Sequence, residues 1–144
     1  MTTIAVDASG LFAADTQLTG GGVNRVSKLY RLPDGGVAGA AGTWCTAYPI
    51  LRWMVAGEEG DPPEFEGCAL LIGRPDGSRW MADGIWPPYP LLNTVAAIGS
   101  GAQGAMAGMT AGKNAAQAVE AVLSHDHYSS GPVEQMKVKT RRRK

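Results

Sequence analysis

The stretch Thr2-Thr3-Ile4-Ala5-Val6 opens the chain and decides how the rest is interpreted, because it joins a hydroxyl to a short apolar strand. Met1 precedes a small residue, so we expect its removal, which would leave Thr2 with a free α-amine beside its own hydroxyl. An alcohol is a poor nucleophile until a base lies beside it, and an α-amine titrates near ~8, below the ~10.4 of a lysine. Thr2 is therefore a candidate nucleophile that carries its own base. The alternative is that Met-Thr-Thr is merely a common start.

Length and composition limit the kinds of protein that this chain can be. Its 144 residues suffice for one domain with a sizeable core, so we expect residues 1–144 to form a single domain. Lys plus Arg and Asp plus Glu both number 13, so the overall charge gives no reason to expect binding to nucleic acid or to a membrane. Basic residues crowd positions 137–144, which predicts a solvated C-terminal tail.

The compartment is predicted from features that the chain lacks. No stretch reaches the roughly 20 apolar residues of a membrane span, and the first residues lack the pattern of a signal peptide. Cys45 and Cys68 have neither metal-ligand spacing nor the spacing of a disulfide framework. We therefore expect a cytoplasmic protein without a metal site.

The order of predicted elements favours antiparallel sheets with helices outside them. Hydrophobic runs bounded by turn residues predict strands at residues 3–6, 10–14, 25–32, 37–41, 68–72, 78–82, 95–98 and 133–138. Apolar residues at helical spacing predict helices at about 43–57, 102–111 and 114–124. Because hairpins outnumber β-α-β units, the fold class is α+β with packed layers. Residues 20–22 are predicted as a flexible turn and residues 84–93 as a stiff, irregular, proline-rich loop.

Two glycine patterns follow the strand at residues 95–98. Gly99, Gly101 and Gly104 form a G-x-G-x-x-G sequence between a strand and a helix, which is typical of dinucleotide-binding turns. No clear parallel strand ending in an acidic residue follows about 20 residues on, so we expect no cofactor. Gly104, Gly108 and Gly112 recur on one face of the helix, which predicts close packing against another backbone.

A histidine pair could indicate a metal ion or a catalytic triad. His125 and His127 flank Asp126 in a predicted loop. This spacing with one carboxylate is poor support for a metal site, so we expect solvent-exposed histidines.

Short motifs follow one another along nearly the whole chain. They are Thr2-Thr3-Ile4, Ala14-Asp15-Thr16-Gln17, Arg25-Val26-Ser27-Lys28-Leu29-Tyr30, Ala38-Gly39-Ala40-Ala41-Gly42, Ala97-Ile98-Gly99-Ser100-Gly101, and the weaker Asp126 with Ser129. The ordered set resembles the proteasome β-subunit family, and most closely its bacterial HslV (ClpQ) branch of threonine peptidases. The resemblance implies the four-layer αββα fold of N-terminal nucleophile hydrolases, with two packed antiparallel sheets and the nucleophile at the tip of the first strand.

The resemblance also implies a role for each candidate residue. Thr2 would be the nucleophile, its α-amine would shuttle the proton, and a neighbouring lysine would help to keep that amine neutral. Asp15 would pair with that cation and orient it. The backbone N–H of Gly42 would donate to the oxyanion. The residues that would steady the amine are Ser100, or Ser129 with Asp126.

The chain departs from the family pattern at the cation. Matched on Val26 and on Leu29-Tyr30, the family's lysine falls on Arg25, and Lys28 takes an outer basic position. Arginine keeps the charge but not the geometry, and it cannot give up a proton. Alternation along a strand places Arg25 and Lys28 on opposite faces, so Lys28 could take the role only if the strand shifts register. The chain is also shorter than the usual HslV-type subunit. The missing length falls mainly after Gly57, where the family would have a second helix.

The resemblance implies a self-compartmentalising threonine endopeptidase that cleaves peptides or unfolded proteins through an acyl-enzyme on Thr2. It further implies a homo-oligomeric ring, with an ATP-dependent unfoldase as a candidate partner. The alternative is a catalytically silent structural or interaction subunit of the same fold. Arg25 favours that alternative. The residues that favour activity are Thr2, Asp15, Gly42 and Ser100.

Overall fold

The computed structural model describes residues 2–19, 23–126 and 129–140 of the chain. Its strands are β1 (Thr3–Val6), β2 (Leu11–Ala14), β3 (Gln17–Thr19), β4 (Val23–Arg25), β5 (Leu29–Arg31), β6 (Val37–Gly42), β7 (Cys68–Gly73), β8 (Arg79–Asp83), β9 (Tyr89–Leu91), β10 (Ala96–Gly99) and β11 (Glu134–Lys137). Its helices are α1 (Trp44–Val55), α2 (Ala102–Thr110) and α3 (Ala115–Leu123). None of the helices among these residues is long and apolar enough to cross a membrane.

The elements form four layers. Two sheets form the inner layers: one has the strand order β10-β1-β2-β11, the other has the order β5-β6-β7-β8-β9, and neighbouring strands in both are antiparallel. β3 and β4 form a separate two-stranded sheet. One core cluster joins α1 to the five-stranded sheet, a second lies between the two sheets, and a third joins α2 and α3 to the four-stranded sheet. The order of layers is therefore αββα, and the predicted fold class is confirmed.

Strand β1 lies in the middle of these layers. It is hydrogen-bonded to β10 on one side and to β2 on the other, and all four of its residues are buried. Ile4 and Val6 face the second sheet, whereas Ala5 faces the helices. A strand covered on both faces is apolar throughout rather than alternating, which explains the sequence of this stretch. Thr2 and Thr3 therefore enter the interior at the tip of a strand that is fixed on every side.

Glycines set the distance between α2 and α3. A side-chain carbon at Gly104 would lie 3.0 Å from Val122, and one at Gly108 would lie 3.3 Å from Ala118, so the predicted close packing is confirmed at both positions. Gly112 instead follows the end of α2 with a φ of +102°, in open space. It is a helix-terminating glycine rather than a packing one.

The strand predicted over residues 25–32 is split in two. β4 pairs with β3, and β5 pairs with β6, so the chain changes sheets at residues 26–28. The loop predicted at residues 84–93 contains β9, which lies at the edge of its sheet, where prolines are tolerated. β3 was not predicted. Alternation within one segment cannot reveal which neighbour each half will pair with.

The C-terminal region is ordered further than the predicted tail allows. Lys137 ends β11, Val138 is buried, and the Lys139 N–H donates to the Gly35 carbonyl at 3.0 Å. The basic segment therefore begins inside the fold rather than in a tail at residue 137. Met1, the predicted turn at residues 20–22 and the last four basic residues, 141–144, lie outside the described residues.

Phe12 anchors the interface between the sheets. It is fully buried, and a side-chain carbon at Gly73 would lie 2.7 Å from its ring. We expect Phe12→Ala to lower the free energy of unfolding by about 3–5 kcal/mol, because it leaves a cavity between two rigid layers. Denaturant titration measures this change. Leu92→Ala, at a fully exposed position, is the control and should shift stability by less than about 0.5 kcal/mol.

Candidate active site

Gly99, the last residue of β10, and Gly101, which follows it, enclose the tip of β1. A side-chain carbon at Gly99 would lie 1.8 Å from the Thr2 carbonyl oxygen, and one at Gly101 would lie 2.1 Å from Thr3 Oγ1. β10 is antiparallel to β1, and Gly99 is the partner of Thr3 in the ladder. These glycines of the G-x-G-x-x-G sequence therefore allow the chain to approach the first residues closely. A dinucleotide-binding turn would require a parallel β-α-β unit instead.

A lysine lies beside the Thr2 hydroxyl. Lys28 Nζ is 3.0 Å from Thr2 Oγ1 and 2.9 Å from Asp15 Oδ1. The Lys28 side chain is 1% exposed and the Asp15 side chain is fully buried. The structure thus brings a nucleophile candidate, a cation and a carboxylate into one line of direct contacts.

The match that placed Arg25 beside Thr2 is wrong. The cation that donates to Thr2 Oγ1 is Lys28, whereas Nη1 of Arg25 donates to the Ser130 carbonyl at 3.1 Å and to Ser130 Oγ at 2.7 Å. Arg25 ends β4, and the chain then leaves that hairpin at residues 26–28. This irregular segment is what turns the Lys28 side chain inward, which a continuous strand in the matched register would not do.

Asp15 is held by four donors. Its Oδ1 accepts from the Thr3 N–H at 3.0 Å as well as from Lys28, and its Oδ2 accepts from the N–H groups of Gln17 at 3.2 Å and Ser130 at 3.3 Å. A buried carboxylate is stable only when such donors replace its hydration. The orientation of the Lys28 ammonium is therefore fixed by a carboxylate that is itself fixed.

The surroundings of Lys28 weaken its hold on its proton. Burial lowers the pKa of the Lys28 ammonium below its ordinary value, and this effect outweighs the charge and hydrogen bond of Asp15 and the charge of Glu134, which raise it. The charge of Arg25 lowers the pKa further. The site thus holds a lysine that gives up its proton more readily than a solvated one.

A second polar cluster lies on the other side of the Thr2 main chain. Asp126 Oδ2 accepts hydrogen bonds from Ser100 Oγ at 2.6 Å and from Ser129 Oγ at 2.8 Å. Ser100 Oγ also donates to the Thr2 carbonyl at 3.4 Å. The three residues that were predicted to steady the amine end therefore lie together, next to Thr2, although the sequence left open which of them would do so.

Thr3 belongs to both clusters and was missed as a site residue. Its N–H donates to Asp15, its hydroxyl shares a hydrogen bond with Ser129 Oγ at 2.8 Å, and the same hydroxyl donates to Asp126 at 3.4 Å. Thr3 is fully buried. The signal was available in the sequence, because a hydroxyl at the start of an otherwise apolar buried strand requires polar partners.

Gly42 ends β6 immediately before α1. Its φ is +126°, and a side-chain carbon there would lie 2.3 Å from the Gly67 carbonyl oxygen. Only glycine fits both conditions. Thr43 occupies the N-cap position of α1, yet its side chain makes no capping hydrogen bond. The donation of the Gly42 N–H to an oxyanion stays a prediction.

The histidine pair is only partly described. His125 is exposed, and His127 lies outside the described residues. Within residues 2–19, 23–126 and 129–140, no three His, Cys, Asp or Glu side chains are grouped closely enough to hold a metal ion.

Comparison with known proteins bears on the fold. No protein-family model and no curated protein matches the chain. Among solved structures, BPH of Thiobacillus denitrificans in complex with epoxomicin is similar with a TM-score of 0.71 and 18% identity over 96% of this chain and 99% of that chain. A second structure of the same BPH gives a TM-score of 0.70, 19% identity, and 96% and 98% coverage. Eukaryotic HslV from Trypanosoma brucei is similar with a TM-score of 0.67 and 22% identity over 95% of this chain and 99% of that chain. The chain therefore has the proteasome-like αββα fold of HslV and BPH.

Proposed function

We propose that this chain is a threonine endopeptidase whose nucleophile is Thr2, made N-terminal by the removal of Met1. The observation that carries the proposal is the buried Lys28–Asp15 ion pair, whose ammonium lies 3.0 Å from Thr2 Oγ1. Acyl transfer requires a nucleophile, a base tuned near the working pH and a charge that tunes it. All three are accounted for by Thr2, its own α-amine and Lys28.

In the first half of the reaction, Thr2 Oγ1 attacks the carbonyl carbon of the scissile peptide bond. Its proton passes to the α-amine of Thr2, and the Lys28 ammonium stabilises the developing charge on Oγ1. The carbonyl oxygen becomes an oxyanion, which accepts from the Gly42 N–H, an interaction worth about 2.7–4 kcal/mol where comparable donors have been removed. The C–N bond then breaks, the leaving amine takes the proton from the α-ammonium, and an ester on Thr2 remains.

In the second half, water attacks the ester carbonyl. The α-amine takes a proton from that water and passes it to Oγ1 as the ester bond breaks, which releases the carboxylic acid product and restores Thr2. Ser100, Asp126 and Ser129 steady the main chain of Thr2 throughout, because their hydroxyl and carboxylate groups lie against its carbonyl and its neighbour Thr3. The polar groups around Thr2 thus have a role in both halves.

The buried ion pair also argues against a catalytically silent subunit. Removing two charges from water is costly, and apolar side chains of similar volume are often as stabilising in such a place. A purely structural subunit has no need of Lys28 and Asp15 at the strand tip. Arg25 favoured the silent interpretation only as the cation expected beside Thr2, and the cation in contact with Thr2 is Lys28, while Arg25 donates to Ser130.

Substrates and partners form the finer part of the proposal. The substrate is a peptide or an unfolded protein, and the chains assemble into a homo-oligomeric ring that encloses the sites. An ATP-dependent unfoldase is the partner to be tested for such a chamber. BPH is described in complex with epoxomicin, and we propose that Thr2 of this chain reacts with peptide epoxyketones of the same kind.

The proposal is tested by intact mass of the purified full chain before and after treatment with a peptide epoxyketone. We expect the mass to lack Met1 and to gain one inhibitor molecule, located on Thr2 by fragmentation. Thr2→Val, which keeps the shape of the side chain and loses the hydroxyl, is the control and should gain none. Retained Met1 with no adduct would support the silent subunit, because the Thr2 nitrogen would then be an amide. Native mass of the same sample measures the assembly.

A further inference from the structure

Glu134 accepts hydrogen bonds from the segment that carries Lys28. Its Oε1 accepts from the backbone N–H of Leu29 at 2.9 Å and from the backbone N–H of Lys28. Its Oε2 accepts from Ser27 Oγ at 2.7 Å. One carboxylate therefore binds three consecutive residues of the chain, although it lies 106 positions away from Lys28 in the sequence.

The segment needs such a partner because it has left its strand. Residues 26–28 lie between β4 and β5, outside both ladders. The Val26 N–H donates to the Thr16 carbonyl at 3.0 Å, and the N–H groups of Lys28 and Leu29 are turned to Glu134. Backbone N–H groups that leave a ladder must find other acceptors or water. Glu134 supplies the acceptors at the point where the side chain of Lys28 turns inward.

We infer that Glu134 is a positioning residue, which holds the backbone of residues 27–29 so that the Lys28 ammonium reaches Thr2 Oγ1. The inference rests on the proposed function for its catalytic meaning. Glu134 acts only through Lys28, and its contacts are with residues 27–29 rather than with Thr2.

The position of Glu134 in the sheet supports this role. In the ladder between β11 and β2, Glu134 is the partner of Ala14, the residue immediately before Asp15. Two carboxylates on neighbouring positions of paired strands therefore hold one lysine, Asp15 by its ammonium and Glu134 by its backbone. A lysine stem is long and flexible. Fixing both of its ends reduces the positions that the ammonium can occupy.

Backbone support and charge can be separated by substitution. Glu134→Gln removes the charge but keeps the shape and one acceptor oxygen for the N–H groups of Lys28 and Leu29, and its NH₂ can donate to Ser27 Oγ. Glu134→Ala removes both the charge and the acceptor. Asp15, Glu134 and Arg25 are the charged groups that face Lys28, so the charge of Glu134 is one of several. If Glu134 positions Lys28, Glu134→Ala should slow adduct formation on Thr2 strongly and Glu134→Gln should slow it little.

The experiment compares the full chain with Glu134→Ala and Glu134→Gln in two measurements. One is the rate of adduct formation on Thr2 with a peptide epoxyketone across pH. The other is acetylation of Lys28 by limiting acetic anhydride, read by peptide mass mapping against the exposed Lys113. For Glu134→Ala we expect adduct formation to slow by about 10²-fold, because a displacement of about 1 Å is enough for such a loss. We also expect the acetylation of Lys28 to rise toward that of Lys113.

Controls separate positioning from general stability. Gln135→Ala changes the exposed neighbour on β11 and should leave both measurements unchanged. If Glu134→Ala does not fold, Glu134→Asp replaces it, and that shorter acid should slow the adduct more than Glu134→Gln does. The inference would be overturned if Lys28 stayed protected from acetylation in Glu134→Ala. It would also be overturned if Glu134→Gln and Glu134→Ala slowed adduct formation equally. If the parent chain forms no adduct, the proposed function fails, and acetylation alone decides whether Glu134 holds Lys28.

Discussion

Thr2→Ala is expected to abolish peptide hydrolysis while the chain still folds. The substitution removes Oγ1, the only atom on which the proposed ester can form, and leaves the ion pair of Lys28 with Asp15 in place. Removal of a nucleophile from a comparable acyl-transfer site lowers kcat by on the order of 10⁶-fold. A fluorogenic peptide assay, with native mass and thermal unfolding on the same sample, measures hydrolysis, assembly and folding separately.

The matched control for this variant is Thr2→Ser. It keeps a hydroxyl, a small second residue that allows removal of Met1, and the hydrogen bond to Lys28. It should retain measurable turnover, because only the methyl group is lost. Full hydrolysis by the alanine variant would refute the assignment of Thr2, whatever the structure of the variant.

Lys28→Met is expected to lower kcat/KM by about 10²–10⁴-fold, whereas Arg25→Met should have a far smaller effect. Methionine has a similar length and fills the same buried volume, but it cannot donate to Thr2 Oγ1. Arg25 is exposed, and its contacts are with Ser130, so its loss leaves Thr2 and its cation in place. Steady-state kinetics on both variants decides between the two cations. A larger loss of kcat/KM from Arg25→Met than from Lys28→Met would instead support the match that places Arg25 beside Thr2.

Loss of stability must be separated from loss of catalysis in this comparison. Lys28→Met leaves the Asp15 carboxylate buried without its cation, which destabilises a fold by about 3–5 kcal/mol. The double variant Lys28→Met with Asp15→Asn removes the stranded charge. It should recover much of the stability and none of the turnover. In the parent chain, turnover that needs the ammonium should decline with rising pH before an ordinary lysine would titrate, because burial lowers the pKa of Lys28.

The layered fold could be predicted because the apolar runs of β1, β2, β6 and β7 are strong signals. A strand such as β1, apolar on both faces, indicates a position between layers, and turn residues divide the remaining strands into hairpins. The helices predicted at residues 102–111 and 114–124 agree with α2 and α3 to within one residue at each end. These features are local, so the sequence carries them in full.

The cation could not be predicted because it depends on contacts that are distant in sequence. Alternation along residues 25–32 assumes that one strand keeps one set of partners, yet β4 and β5 pair with different strands. Glu134, which grips the backbone where the strand breaks, lies on the last strand of the fold. β9 was missed for a related reason, since its prolines are acceptable because β9 is the edge strand of its sheet among the described residues.

The break at residues 26–28 has a consequence for how degenerate enzymes are distinguished from working ones. A chain with arginine at the aligned position would be sorted among inactive proteins by letter alone. Here a lysine ammonium contacts Thr2 Oγ1 from Lys28, three residues after Arg25. The break in the strand at residues 26–28 makes this contact possible, and an alignment does not record it. Loss of a catalytic residue and its migration therefore produce the same gap in a motif, and only the path of the backbone tells them apart.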